Sequence, residues 1–323
     1  MSKRTTMVGV LLAAWCLLPA GPAWADKPVA AGQRDVKKPA AGKFIRITRN
    51  ARDQPVALET AIARYVPAAG EGGLQVDLIG AVHVGDRAYY EKLNKQFKQY
   101  DVVLYELVAP QGTRIPKGGK RDSSNPLALI QQMAKSVLDL ESQTEQIDYT
   151  ARNFVHADLS PEEMAAAIRK RGDDGVTLAL SITADLIRQA NLEQHKAKDK
   201  PAEGEPELDL LSLLLDAEGP AKLKRTLAEK FADIESPSGG LGNTLGTILI
   251  ADRNQAALKV FQKELAKGRK KIAIFYGAGH LADFDKRLRE DFGLKRAGEQ
   301  WLTAWDLQKK SRGFADILER LDH

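Results

Sequence analysis

Apolar residues along this chain change period twice, from strand-like runs to helical stripes and back, which divides it into two ends and a middle. Near the amino-terminal end, Phe44-Ile45-Arg46-Ile47 and Val56 to Val66 read as strands joined by a polar turn at Asn50 to Gln54. A third strand follows at Leu74 to Val82, after the turn Gly70-Glu71-Gly72-Gly73. Tyr89, Leu93 and Phe97 then recur at helical spacing, and Asp101 to Leu107 is again a continuous apolar run. Strand, helix, strand predicts a parallel pair with a right-handed crossover. From about Pro126 to Lys267 strand-like runs are absent and the periodicity is helical, with Ser160, Pro161 and Glu163 marking one helix start as a capping box. Within this stretch Lys196 to Glu207 reads as an exposed charged loop. The sheet pattern returns at Lys271 to Tyr276 and at Gln300 to Trp305, before an amphipathic helix from about Phe314 to Leu321. The pattern predicts a mixed α/β fold: a central, mostly parallel sheet formed by the two ends of the chain, with a helical insertion over about 112–267.

The first residues do not belong to this pattern. Lys3 and Arg4 precede an apolar stretch from Met7 to Leu18, and Ala23-Trp24-Ala25 places small residues where a signal peptidase reads them. Residues 1–25 are therefore expected to be a signal peptide cleaved after Ala25, which makes the protein exported, periplasmic or extracellular. The apolar stretch is shorter than the ~20 residues that span a bilayer, so no membrane span is expected in the mature chain. Residues 26–42, rich in Ala, Pro, Gly and Lys, read as a flexible lead-in to a domain over 43–323.

At 323 residues, 43% hydrophobic and 28% charged, the chain has apolar material for a large core. Its net charge of +5 falls by two, to +3, without Lys3 and Arg4, too little to argue for a nucleic-acid partner. The only cysteine is Cys16, and the bulky Trp15 before it does not suit a lipoprotein signal. A mature chain without cysteine excludes disulfides, thiolate metal sites and a cysteine nucleophile.

The candidate chemistry lies in a repeated phrase. Gly80-Ala81-Val82-His83 and Gly277-Ala278-Gly279-His280 each close an apolar run and open an amphipathic segment, so each reads as strand, glycine turn, His, helix. Glu106 stands at the end of a third apolar strand. In open α/β sheets ligands bind at that carboxyl-terminal edge, so His83, Glu106 and His280 form a candidate site. Gly80 and Gly277 are expected to supply backbone angles that a Cβ would block. A fourth candidate comes from the helix expected over Thr247 to Ala266, where Arg253 and Asn254 interrupt the stripe Ile250, Ala257, Phe261, Leu265. A guanidinium on that face needs an anionic partner, for which Glu106 is the obvious candidate.

Two His and a Glu can act in two ways. They can hold a divalent metal whose bound water becomes a nucleophile at neutral pH. Alternatively one His deprotonates water while Arg253 stabilises developing negative charge. Both are hydrolytic, and the sequence, which lacks HExxH or any other dense ligand spacing, does not separate them; the absence of a Gly-x-Ser-x-Gly elbow argues against a serine hydrolase. His156 and His195 read as structural or exposed, and Gly239 to Gly246 as a flexible helix entry rather than a dinucleotide loop.

At these residues the chain resembles the TraB/PrgY/Tiki family, within a wider group that includes the erythromycin esterases and ChaN-like haem-binding proteins. The likeness lies in GAVH, GAGHL, the Glu of YELV and the Arg-Asn pair of ADRN, in their order and spacing, and it spans most of the chain after about Phe44. It implies a mixed α/β fold with the site between the two halves. His83, Glu106 and Arg253 would be catalytic, His83, His280 and Glu106 would bind Mn, Co or Zn, and Asn254 would contact substrate. Tiki proteins are described as divalent-metal-dependent proteases and TraB/PrgY proteins as limiting peptide pheromone activity. An exported metallopeptidase acting on peptides or proteins is the implied function; a peptide- or haem-sequestering protein and a metal-free His-based esterase are the alternatives. The helical middle, including Ile147 to Ser160, is where specificity is expected to differ.

Overall fold

Strand β2 (Pro55–Pro67) organises the antiparallel half of the sheet. It pairs antiparallel with β1 (Ile45–Arg49) along its first half, Ile45 opposite Thr60, and with β3 (Gln75–Ala81) along its second, Ile62 opposite Ile79. Along its other edge runs β9 (Leu294–Asp306), antiparallel from Ala57 opposite Asp306 to Pro67 opposite Leu294. Beyond β3 the sheet becomes parallel, through β8 (Lys271–Gly277), β5 (Val102–Tyr105) and β7 (Phe154–His156). A separate ribbon pairs β4 (Val84–Gly85) with β6 (Glu141–Ser142). The fold is thus mixed α/β with a mostly parallel central sheet, as the hydropathy pattern predicts.

The computed structural model describes residues 43–70, 72–110, 113, 138–170, 219–233 and 250–309. The amino-terminal 1–42, His195, the charged loop Lys196 to Glu207, the glycine run 239–246 and the helix expected over Phe314 to Leu321 lie outside them. Among the described residues no helix is long and apolar enough to cross a membrane.

Two expectations are corrected. The strands either side of the first helix are parallel but not neighbours, because β8, arriving from far along the chain, lies between β3 and β5. The middle is also not free of strands, since it supplies β6 and the sheet's edge strand β7. Neither was legible as an apolar run, for Glu141-Ser142 is polar and Phe154-Val155-His156 is too short to establish a period.

Helices cover both faces. Along β8, Ala273 and Phe275 turn to one face and Ile272, Ile274 and Tyr276 to the other, the period of two that a doubly covered strand requires. On the first face lies α1 (Arg87–Phe97), which buries Tyr89, Tyr90, Leu93 and Phe97. The single turn α2 (Gln143–Gln146) packs against α1. Helix α3 (Pro161–Lys170) starts as the sequence predicts, with Ser160 Oγ accepting from the Glu163 N–H at 3.1 Å and Glu163 Oε2 accepting from the Ser160 N–H at 2.8 Å. Helix α4 (Gly219–Asp233) packs Leu223 and Leu227 onto the first face. The second face carries α5 (Asp252–Ala266), through Ala257, Leu258 and Phe261, and α6 (Leu281–Glu290), through Leu281, Phe284 and Leu288.

Candidate functional site

The insertion of β8 between β3 and β5 decides what meets at the carboxyl-terminal edge of the parallel strands. Reading across that edge, His83 lies just past β3, His280 just past β8, Glu106 directly after β5 and Asp158 just past β7. Helix α5 lies over the same end and lowers Arg253 and Asn254 onto it from one face, where both are buried. Four sequence-distant segments therefore converge with one side chain each, and a helix adds two.

Arg253 is held by two carboxylates. Its Nε and Nη2 donate to Asp158 Oδ1 and Oδ2 at 3.0 and 2.6 Å, and Nη2 also donates to Glu106 Oε1 at 2.6 Å. The pairing with Glu106 anticipated from the helix pattern is present, but Asp158 is a second and bidentate partner. Such a fork-to-carboxylate pair fixes the guanidinium in both distance and plane. Burial works against the charge on Arg253, and Glu106 and Asp158 together outweigh it, so the guanidinium stays protonated well above its ordinary range.

Glu106 has neither oxygen idle. Its Oε1 takes Arg253, and its Oε2 accepts the Gly277 N–H at 2.7 Å. Burial opposes ionisation, but Arg253, the imidazoles of His280 and His83 and the Gly277 N–H prevail, holding the carboxyl well below the usual carboxylate range. The Gly277 contact corrects the expected role of the glycines. Neither Gly80 nor Gly277 has a positive φ. A Cβ on Gly277 would instead lie 3.2 Å from Glu106 Oε2, so the residue supplies room for the carboxylate to reach its amide.

His280 sits in a 3-10 turn (Ala278–His280) and is 8% exposed. Its Nδ1 lies 2.7 Å from Asn254 Oδ1, while Asn254 Nδ2 donates to the His280 carbonyl at 3.0 Å and to Asp283 Oδ2 at 2.9 Å. Because both partners of Nδ2 are acceptors, the Asn254 amide has one orientation, and its Oδ1 must accept from Nδ1–H. The lone pair of the neutral ring is therefore on Nε2, which faces Glu106 Oε1 at 3.6 Å. Burial pushes the imidazole down to about 4, with Glu106 pulling upward and Arg253 adding to the fall. Tyr276 packs edge-on against the ring at 5.2 Å and donates its hydroxyl to the Ala157 carbonyl.

The two motif histidines are not presented alike. His83 is exposed at the rim, near enough to act electrostatically on both Glu106 and His280, and its carbonyl accepts from the Gln143 N–H at 2.9 Å. Asn254, expected to touch substrate, is 0% exposed and holds His280 from beneath. A surface recess of about 300 Å³ lined by Asn50, Gln54, Pro55, Val56, Arg225 and Gln308 contains none of these groups.

The metal expected on His83, His280 and Glu106 can be tested against this donor set. His280 Nε2 has the free lone pair a ligand needs, and Asn254 fixes its tautomer as an outer partner would. However, Glu106 already carries a guanidinium on Oε1 and an amide on Oε2, and among the described residues no group of three His, Cys, Asp or Glu side chains is placed to hold an ion. The arrangement does not fit a divalent ion held by three protein donors. Arg253 stands as the cation beside Glu106 instead.

Asp158 escaped the sequence reading. The signal for it is the syntax shared with the other motifs, a strand followed at once by a capped helix, but a three-residue strand hides it. Comparison of the chain with family models, curated proteins and solved structures finds no match.

Proposed function

We propose that this chain is a hydrolase whose reaction centre lies between His280 and Glu106. The observation that carries this reading is the Nε2 lone pair of a neutral, buried imidazole, facing an ionised carboxylate at 3.6 Å at the carboxyl-terminal edge of a parallel sheet. Two acceptors that face each other at this spacing call for a donor between them, and water supplies two O–H groups. In the proposed step the water oxygen bonds to a substrate carbonyl carbon as one of its protons passes to Nε2. Glu106 stabilises the resulting imidazolium, which then returns the proton to the leaving group. Asn254 holds the ring so that only Nε2 can take part.

Of the two parts expected of Arg253, the pairing with Glu106 is favoured over direct stabilisation of charge on the substrate. With Asp158 and Glu106 both bound to it, the guanidinium orients Glu106 and keeps it charged rather than reaching for a substrate oxygen. His83 stands exposed at the rim, close enough to act electrostatically on Glu106 and His280. The resemblance to TraB/PrgY/Tiki proteins rests on the same residues and supports a peptide or protein substrate, and the amino-terminal pattern supports action after export.

The test is hydrolysis of a peptide library by the full chain, with and without a chelator. His280→Asn keeps a donor for Asn254 Oδ1 but lacks the Nε2 base, and should lower turnover by a factor of about 10²–10⁴. Activity should survive the chelator, and should fall as pH drops through about 4 while staying level above it. Activity lost to chelation and restored by Mn, Co or Zn would return the site to the metal-dependent scheme. Unchanged turnover in His280→Asn would refute the proposal.

A further inference from the structure

The hydrogen bonds that hold His280 do not end at Asn254. Asn254 is 0% exposed, and its Nδ2 carries two hydrogens, one donated to the His280 carbonyl at 3.0 Å and one to Asp283 Oδ2 at 2.9 Å. The same Asp283 oxygen accepts from Arg287 Nε at 2.6 Å. Asp283 stands in the first turn of α6 and Arg287 one turn further on, and the side chains of both are 26% exposed. A polar chain thus runs from the buried imidazole through a buried amide to a carboxylate and a guanidinium that reach solvent. An Asp–Arg pair four residues apart on a partly exposed helix contributes little to stability on its own. What sets this one apart is that its carboxylate oxygen is shared with an amide inside the protein.

The chain has a direction. A neutral histidine in water carries its proton mainly on Nε2, so Nδ1–H is a state that the surroundings must impose. In the competing state the Asn254 amide is turned over: Nδ2 donates to Nδ1, the ring proton sits on Nε2, and Oδ1 faces the His280 carbonyl and Asp283 Oδ2, acceptor against acceptor. The backbone carbonyl opposes that state in any variant. Asp283 supplies the other opposition, and its charge makes its bond the stronger of the two. A water in its place could donate as readily as accept, and would impose no direction.

We propose that Asp283 and Arg287 are positioning residues that select the tautomer of His280 through Asn254. Asp283 sets the direction of the amide, and the part of Arg287 is conditional on it. A carboxylate presents acceptors on both oxygens and needs no orienting. A carboxamide at the same place could turn its nitrogen towards Asn254 unless Arg287 Nε held its oxygen there. The consequence for turnover rests on the reading of His280 as the base, whereas the tautomer is measured without substrate, so the two fail separately.

The test is NMR of isotope-labelled histidine ring nitrogens in the full chain at neutral pH, with the His280 signals identified by their loss in His280→Asn. The wild-type chain should show Nδ1 protonated and Nε2 bare. Asp283→Ala should move the ratio of tautomers towards Nε2–H by a factor of about 10–100, the worth of one hydrogen bond to a charged group. Asp283→Asn and Arg287→Met should each keep the wild-type tautomer, and the two together should release it; this comparison stands if Asp283→Ala folds poorly. A pair with only a structural part would lower stability and leave the ring signals as they are. A wild-type ring protonated on Nε2, or an unchanged tautomer in folded Asp283→Ala or in the double variant, overturns the inference. For any peptide that the wild-type chain cleaves, kcat should fall in step with the Nδ1–H fraction while KM holds. A tautomer that responds as described in a chain that cleaves no peptide would remove the hydrolase and leave the positioning role standing.

Discussion

His280 shows how much a single hydrogen-bond direction settles. The Asn254 amide, fixed by the His280 carbonyl and Asp283, forces the proton onto Nδ1 and leaves the Nε2 lone pair facing Glu106. The same burial that prepares this base makes it costly in acid. The folded-state value of about 4 lies below the ordinary 6.5, so the unfolded chain takes up the proton first and stability declines as pH falls from about 6.5 toward 4. At about pH 5 the deficit should be about 2 kcal/mol relative to neutral pH. Glu106, depressed by its partners, gives stability that is kept above the carboxylate range and lost only as pH falls through it, so the two effects separate at pH 5. Urea unfolding at neutral pH and at pH 5 should show the drop in the wild-type chain and little of it in His280→Asn. An equal drop in both would mean that the imidazole is not buried neutral. Arg253 and Asn254 were legible in the sequence because polar residues stand out on an apolar helix stripe. The task of Asn254 was not legible, since which side chain its amide meets is a tertiary fact.

At the level of elements, the site depends on short connections at strand ends, and there the sequence was uneven. The two Gly-x-x-His phrases announce themselves because each follows an apolar run of strand length, and both do lead into helices. β7 does not, and Asp158, which fixes Arg253, was lost with it. The glycines were located correctly and explained wrongly, because close approach leaves no trace in composition. Gly277 separates the two explanations experimentally. Its backbone angles suit any residue, so Ala there should be tolerated if angle were the reason. A Cβ 3.2 Å from Glu106 Oε2 must instead displace the carboxylate from the Gly277 N–H, with a cost of about 1–3 kcal/mol. Gly80→Ala, whose nearest neighbours would lie at 3.4–3.5 Å, should cost less. Chemical denaturation of the two variants orders them; a larger loss at Gly80 would contradict the close-approach account.

The whole molecule was legible as a class and not as an order. Alternation at the two ends is enough to predict helices on both faces of a mixed sheet, but no local pattern says that β8 enters between β3 and β5, and that entry is what sets His280 between His83 and Glu106. Three further distant parts are joined at one carboxylate close behind His83. Asp86, at the start of α1, accepts from Lys224 Nζ of α4 at 3.4 Å through Oδ1 and from the Asp306 N–H at the end of β9 at 2.5 Å through Oδ2. Lys224 is 2% exposed and Asp86 13% by side chain, so the pair is shielded from solvent. The two members should not be equivalent. Asp86→Ala strands a buried ammonium and an amide together, and should cost about 3–5 kcal/mol. Lys224→Met keeps the aliphatic packing of α4 and leaves a carboxylate that still has an amide and some solvent, so about 1–2 kcal/mol is expected. Urea titration of both variants and the double mutant closes the cycle. Equal losses would reduce Asp86 to half of an ion pair; a larger loss at Asp86 would make it the joint through which the helical middle of the chain is fastened to the segment that presents His83.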